Sequence, residues 1–324
     1  MEGGTSSDGG VVDLTGGANG KLSELPIDLI PVATTTQLKI STNELKELPP
    51  FLGTLTRLLV LDCSDNWLTA LPPELDQCEQ LEELLFYKNS LKALPKELGA
   101  LRSLKVLNAF NNAITRLPPD LGQLPALEEV NLAANKLMAL PDVPGWANVR
   151  VLNLYDNRLV KLGSLACCTA LCELRLFNNN LEELPDLGTK PKLRILELNK
   201  NHITNLPLSF FTGLKALERV TFNNNNIESI PVGINCPKLE SFLIAQNALH
   251  ELPPDLPLWP SLKILFVNGN QLQRLPETFL QNTWIQRINL ARNSKCAASS
   301  KHILQHLKKV AEKNKGFYWA PDTL

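Results

Sequence analysis

Asparagine is the side chain whose spacing most clearly points to a defined chemical task. It recurs every 22 to 24 residues along most of the sequence. The twelve positions are Asn43, Asn66, Asn89, Asn112, Asn135, Asn157, Asn179, Asn201, Asn225, Asn247, Asn270 and Asn293. A carboxamide both donates and accepts hydrogen bonds, so it can satisfy backbone N–H and C=O groups that a sharp turn removes from water. We therefore expect all twelve to be buried and bonded to backbone, as a structural ladder without a catalytic role.

Cysteine is the second residue type that could do chemistry. Cys167, Cys168 and Cys172 lie close enough in sequence to suggest a metal site. However, Cys168 occupies the same position in its repeat as Cys78 and Cys236, just before a predicted strand, where an apolar side chain is expected. The sequence therefore predicts neither a metal nor a cofactor, and no disulfide is needed to explain the seven cysteines.

Two further motifs are interpreted as structural. His302 and His306 are one helical turn apart, but two imidazoles without a nearby carboxylate are more typical of a solvated helix face than of a metal site. Residues 219–222 read R-V-T-F, a pattern that docks on type-1 protein phosphatase when it is exposed. Val220 and Phe222 fall at the inward positions of a predicted strand, so this segment is not expected to dock.

The elements that position the asparagines follow from the surrounding pattern. It reads L-x-x-L-x-L-x-x-N-x-L-x-x-L-P-x-x-L-x-x-L, as in residues 58–78, LLVLDCSDNWLTALPPELDQC. The L-x-L alternation predicts a short strand with two inward side chains in each unit. Proline lacks an N–H group, so the Leu-Pro pair belongs to the segment that leaves the sheet. The pair lapses clearly once, at Leu162-Gly163.

This pattern resembles the leucine-rich repeat. No single unit of this length can bury its own apolar side, so neighbouring units must stack and share one core. The resemblance implies an α/β-type repeat solenoid, a curved horseshoe with a parallel concave sheet, a convex side of extended and 3₁₀ segments, and a C-terminal capping helix.

Four segments are predicted along the chain. Residues 1–10 are expected to be a disordered tail, residues 11–34 a degenerate N-capping repeat, and residues 35–298 the twelve repeats. Residues 299–324 are expected to form a capping helix and an aromatic tail. Ser299 or Ser300 is predicted to cap that helix, and Gly316 to end it. Its apolar face is Ile303, Leu307, Val310 and Ala311.

The Leu-Pro repeats and the tail together resemble a narrower group. The repeats are similar to those of intracellular Ras-group leucine-rich-repeat scaffolds, and the tail G-F-Y-W at residues 316–319 is similar to the G-V-Y-W motif of the plant members. Phe317 stands where that motif has valine. The resemblance implies a signalling scaffold that engages small GTPases, their regulators or a phosphatase pathway.

The strand positions that face away from the core are expected to hold the binding site. Aromatic side chains cluster there in the middle repeats, with polar neighbours around them, which is the composition of an interface hot spot. The predicted partner-binding residues are Leu85, Tyr87, Lys88, Asn108, Phe110, Asn131, Asn153, Tyr155, Arg175 and Phe177, with Leu243 and Phe266 as a second, smaller apolar spot. The alternative is that these rings simply pack against one another.

Two other outward features are a series of charged residues and an isolated tryptophan. Glu83, Glu129 and Glu173 precede Arg219 and Arg287 at one strand position, which predicts a concave face that is acidic first and basic later. An unusual tryptophan follows the second ladder asparagine, at residue 67, and either contacts a partner or packs locally.

Composition limits the function further. A net charge of -1 offers no general attraction to nucleic acid or anionic lipid. The sequence has no apolar stretch long enough to cross a membrane, and its N-terminus, MEGGTSSDGG, does not resemble a signal peptide. We therefore expect a cytoplasmic, non-catalytic scaffold that binds protein partners on its concave face. The alternative function is that of an architectural subunit in a large cytoskeletal or ciliary assembly.

Overall fold

The computed structural model describes residues 10–16 and 20–320, and the chain divides into two compact units between Leu171 and Cys172. Except for Gly10, the predicted N-terminal tail lies outside the described residues. Both units consist of stacked repeats with one short parallel strand each. The predicted α/β repeat solenoid, with a parallel sheet, 3₁₀ segments and a C-terminal helix, is confirmed within the units.

The first unit contains a parallel sheet of seven strands in sequence order. They are β1 (Val11–Asp13), β2 (Gln37–Lys39), β3 (Val60–Asp62), β4 (Glu83–Leu85), β5 (Val106–Asn108), β6 (Glu129–Asn131) and β8 (Val151–Asn153). Their register places like repeat positions side by side, for example Leu107 beside Val130 and Val130 beside Leu152. Two shorter strands, β7 (Ala139–Leu140) and β9 (Lys161–Leu162), pair separately.

The second unit has the same organisation. Its strands are β10 (Glu173–Arg175), β11 (Ile195–Glu197), β12 (Arg219–Thr221), β13 (Ser241–Leu243), β14 (Ile264–Phe266), β15 (Arg287–Asn289) and β16 (Phe317–Trp319). All neighbours among them pair in parallel.

Strand alternation creates the core. The middle residue of each three-residue strand from β1 to β15 is buried, whereas most of the residues that flank it are partly exposed. Each Leu-Pro pair then directs the chain away from the sheet, usually into a 3₁₀ turn. These turns are Ile27–Leu29, Pro50–Thr54, Pro73–Gln77, Lys96–Ala100 and Pro119–Gln123 in the first unit, and Leu208–Phe211, Leu256–Leu258 and Glu277–Gln281 in the second.

The loss of proline from the Leu-Pro pair, at Leu162-Gly163, has a structural reason. Gly163 donates its N–H to Leu140 O at 2.8 Å, a bond that proline could not make. A Cβ atom at this position would lie 2.6 Å from the carboxylate of Asp142 and 2.8 Å from its backbone nitrogen. The close approach of Pro141 and Asp142, just after β7, therefore favours glycine where the other repeats carry proline.

The ladder asparagines close a left-handed turn. The residue before each of them has φ between 51° and 67°. At Asn66, Oδ1 accepts the N–H of Leu45 at 3.0 Å, while Nδ2 donates to Ile40 O at 2.9 Å. The expectation that all twelve are buried is wrong for three half-buried members, Asn89, Asn112 and Asn247. These three still bond to backbone.

Two helices follow the last ladder asparagine, α1 (Ser294–Ser299) and α2 (Lys301–Lys313). The α2 side chains that are buried are Ile303, Leu307, Val310 and Ala311. The helix packs against β15, β16 and the 3₁₀ turn at Glu277–Gln281. Ser300 occupies the predicted N-cap position of α2, but its Oγ makes no capping bond and instead accepts the N–H of Leu275 at 2.8 Å. Ser299 lies in α1.

The aromatic tail forms part of the sheet. After α2 the chain returns as β16, which pairs in parallel with β15 and places Tyr318 beside Ile288. The sequence predicted a tail here, and the structure shows an additional strand. Three consecutive aromatic residues favour a strand by composition, but only the pairing with β15 defines it.

Candidate functional site

The outward side of the first unit carries a compact aromatic surface. Phe110 and Tyr155 follow β5 and β8, and their ring centroids are 6.4 Å apart with planes tilted by 48°. Ala133 follows β6, which lies between those two strands, and it is fully buried. The two rings therefore lean towards each other across a small residue.

Leu85 on β4 and Tyr87, two residues after it, extend this surface. Both are half-buried, as are Phe110 and Tyr155. We call these four residues the aromatic face. These outward side chains are therefore partly covered, and the rings of Phe110 and Tyr155 pack against each other. Lys88 lies beside the face in the left-handed turn, with φ of 54°, and is exposed.

Asparagines occupy the row next to the aromatic face. Asn108 Oδ1 accepts the N–H of Phe110 at 3.1 Å, and Asn131 Oδ1 accepts the N–H of Ala133 at 3.2 Å. Asn153 lies in register beside Asn131. Because the side-chain oxygens of Asn108 and Asn131 already bond to backbone, these residues can offer a partner mainly their N–H donors.

Charged residues of the second unit form a network. Arg175 lies 2.6 Å from the carboxylate of Glu173 and 3.5 Å from that of Glu197, which also faces Arg219 at 3.8 Å. The first strand position changes from Glu173 to Arg219 and Arg287 as predicted, but Arg175 and Glu197 at the third position pair with these charges, so the surface is mixed in sign. Arg175 is engaged with carboxylates on its own sheet, and Phe177, two residues further on, is half-buried.

A second aromatic group lies at the C-terminal end of the second unit. The Phe266 ring packs edge-on against Trp319, with centroids 5.7 Å apart, and Trp319 stacks with Phe317 at 5.8 Å. Leu243 lies beside Phe266 in register and is half-buried. The sequence indicated Leu243 and Phe266 but missed Phe317 and Trp319 as members of the same surface.

Comparison with known proteins agrees with the repeat geometry. Residues 102–145 match a model described as leucine-rich repeats in two copies, and residues 191–236 match one described as leucine-rich repeat. The chain is built of leucine-rich repeats. No curated protein matches the sequence.

Several solved structures are similar to this chain. One is a leucine-rich-repeat protein of Leptospira interrogans, with 25% identity, a TM-score of 0.58, and coverage of 97% of this chain and 96% of that one. The leucine-rich repeat domain of APL1B has 22% identity, a TM-score of 0.73, and coverage of 91% and 85%. An internalin of Listeria monocytogenes has 20% identity, a TM-score of 0.66, and coverage of 82% and 86%.

The histidine pair and Trp67 are the candidate residues outside these surfaces. His302 Nε2 lies 3.0 Å from the carboxylate of Glu277, so the expectation that no carboxylate is near is wrong. His306 Nε2 bonds to Asn282 O at 2.9 Å. Trp67 is 51% exposed. Among residues 10–16 and 20–320, no group of three or more metal-binding side chains is placed to hold a metal ion.

The cysteines and the R-V-T-F segment lie within the repeat core or against it. All seven cysteines are thiols, and five of them are buried. Burial raises the pKa of both Cys78 and Cys236 to about 11. Val220 and Phe222 are fully buried. Within the described part of the chain, no helix is long and apolar enough to span a bilayer.

Proposed function

We propose that this leucine-rich-repeat chain is a non-catalytic scaffold in the cytoplasm, and that a protein partner docks on the aromatic face of its first unit. The observation that carries the proposal is the tilted Phe110–Tyr155 pair across Ala133, beside the row of Asn108, Asn131 and Asn153.

The composition of the aromatic face suits a binding hot spot. Half-buried rings are held by their neighbours, so they lose little rotamer freedom when a partner covers them. Asn108 and Asn131 are likewise fixed by bonds to the backbone, and they border the rings with N–H donors. An apolar centre with a polar border is the arrangement in which a few residues contribute most of the binding energy.

The partner class comes from the resemblance to Ras-group scaffolds. It favours a small GTPase or one of its regulators over a structural filament. The second candidate, an architectural subunit of a cytoskeletal or ciliary assembly, would use the same face and differs only in what the face binds.

An affinity purification with three baits tests the proposal. The baits are the full chain, the double variant Phe110→Ala/Tyr155→Ala, and Met138→Ala as a matched control. Met138 is an apolar residue of the same unit that is 63% exposed and lies off the outward strand positions. We expect a set of proteins that the wild type and Met138→Ala retain and the double variant loses.

The identity of the lost proteins separates the two candidate functions. A GTPase or its regulator supports signalling, whereas filament or axonemal subunits support architecture. With the purified partner, each single substitution should weaken binding by about 2 kcal/mol if the residue is a central anchor. Equal capture by all three folded baits would show that the aromatic face is not the site. A double variant that unfolds would show that the rings serve packing.

A further inference from the structure

The C-terminal edge of the second unit combines exposed aromatic rings with an open strand. Phe317 is 58% exposed and Trp319 is 43% exposed, although both lie in a strand. Together with Phe266 they form the C-terminal aromatic cluster. Exposed rings of this size in a row are unusual on a surface that meets only water.

The backbone of β16 is available on one side. Phe317 donates its N–H to Gln286 O at 2.9 Å, and Trp319 O accepts the N–H of Leu290 at 2.9 Å. Because peptide groups alternate in direction along a strand, the N–H and C=O of Tyr318 point to the other side. No strand within residues 10–16 and 20–320 pairs with that side of β16. An open edge of this kind is a template for one more strand.

Positive charge predominates in the segment that ends at this edge. Residues 301–320 contain five lysines and a single carboxylate, Glu312. On the outward side of the sheet, Arg287 lies over the Phe317 ring at 5.9 Å. Two carboxylates of the last repeats are paired, Glu277 with His302 and Glu240 with Lys263. The edge is therefore complementary to an acidic partner.

We propose that this edge binds an extended acidic segment of a partner protein, which adds as a strand beside β16. Its backbone would bond to Tyr318, its apolar side chains would cover Phe317 and Trp319, and its carboxylates would face Arg287 and the α2 lysines. A second copy of this chain is disfavoured as the occupant, because two identical edges would bring like charges together. The proposal concerns residues outside the aromatic face, so it stands independently of the function proposed above.

Peptide selection on the purified full chain tests this assignment. A phage library of random twelve-residue peptides is selected on the wild type, with Trp319→Ala in solution as the competitor that removes peptides bound elsewhere. The selected peptides are synthesised with a fluorophore, and their Kd values are measured by anisotropy. We expect sequences in which Asp or Glu accompanies aromatic or aliphatic residues, with binding that weakens as salt rises.

Matched variants then separate the three parts of the site. Arg287→Glu should weaken binding by about tenfold, which corresponds to about 1.4 kcal/mol. Phe110→Ala, in the other unit, should leave Kd unchanged. Peptides methylated on alternate backbone nitrogens keep their side chains but lose the strand-forming N–H groups, and one of the two methylation registers should abolish binding.

Each part of the proposed site has an outcome that would overturn it. Selection of neutral or basic peptides, or a Kd that Arg287→Glu does not change, would overturn the acidic partner. Full binding by both methylated registers would overturn strand addition. If no selected peptide prefers the wild type to Trp319→Ala, the site is not at this edge. Sedimentation of the free chain as a dimer that Arg287→Glu alters would assign the edge to self-association instead. If Trp319→Ala fails to fold, Arg287→Glu serves as the competitor, and the methylated peptides test whether the partner adds as a strand.

Discussion

Replacing Asn135 with alanine tests the ladder at one of its buried positions. Asn135 Oδ1 accepts the N–H of Ile114 at 3.0 Å, and Nδ2 donates to Ala109 O, Leu132 O and Ala133 O at 3.0, 3.1 and 3.2 Å. Asn135→Ala removes all four contacts at once. The side chain is 8% exposed, so water has little access to the groups left behind.

The four contacts are not equal in energy. Each carbonyl keeps another donor after the substitution: Asn112 Nδ2 for Ala109 O, Asn157 Nδ2 for Leu132 O, and Asn111 N–H for Ala133 O. The N–H of Ile114 has no other acceptor among residues 10–16 and 20–320. Leaving it unsatisfied costs about 1–3 kcal/mol, and losing the amide's own bonds adds about 1 kcal/mol. We therefore expect a loss of about 2–4 kcal/mol.

Asn112 provides the comparison within the same ladder. It makes equivalent bonds, including one from the N–H of Leu91 at 3.0 Å, but it is half-buried, so water can replace part of what alanine removes. Asn112→Ala should cost about 1 kcal/mol. Urea unfolding measures the stability of both variants. Because repeat arrays need not unfold in two states, hydrogen exchange of the Ile114 amide measures the local effect of Asn135→Ala separately. Equal stability of the two variants, with unchanged exchange at Ile114, would refute this reasoning.

Three other outcomes follow from the burial of individual groups. Iodoacetamide at pH 8 should alkylate the half-buried Cys167 well before Cys78, whose pKa burial raises to about 11, and mass spectrometry of the native chain checks the order. Burial raises the pKa of Tyr318 from 10.0 to about 12, so between these pH values the folded chain keeps the phenol proton that the unfolded chain releases. Stability should be intact below pH 10 and fall as the pH rises towards 12, and Tyr318→Phe should lessen that fall in melting experiments. Leu307→Asp places a carboxylate at a fully buried position of α2, so it should unfold the last repeats and cause aggregation that size-exclusion chromatography detects. A soluble variant with an unchanged Tm would contradict the capping role of α2.

Sequence pattern alone predicted the repeat register, because every repeat must supply the same inward side chains to a shared core. The alternation around Leu107 and Val130, for example, follows directly from L-x-L, and the structure places both in the core side by side. Gly163 shows where such reasoning ends. Its departure from the Leu-Pro pattern was visible, but the reason is a contact with Asp142 in the preceding repeat, which local sequence does not reveal.

The outward positions were harder to predict because their neighbours come from other repeats. The pairing of Arg175 with Glu173 and Glu197 depends on which rotamers meet across two strands. Periodicity defines the strand positions of these residues but not their partners. For the same reason the sequence did not predict β16. Its strand conformation depends on pairing with β15 after two helices have interrupted the repeat.

Ala133 links the sequence of the aromatic face to its geometry. Adjacent strands lie about 4.8 Å apart, so the residues that follow β5 and β8 start about 10 Å apart at the backbone. The rings of Phe110 and Tyr155 approach to 6.4 Å because only a methyl group stands between them. A longer side chain at position 133 would separate the rings and fill the space they share. A small residue between two aromatic residues at equivalent repeat positions is therefore a signal, readable from sequence once the register is known, that the rings form one surface.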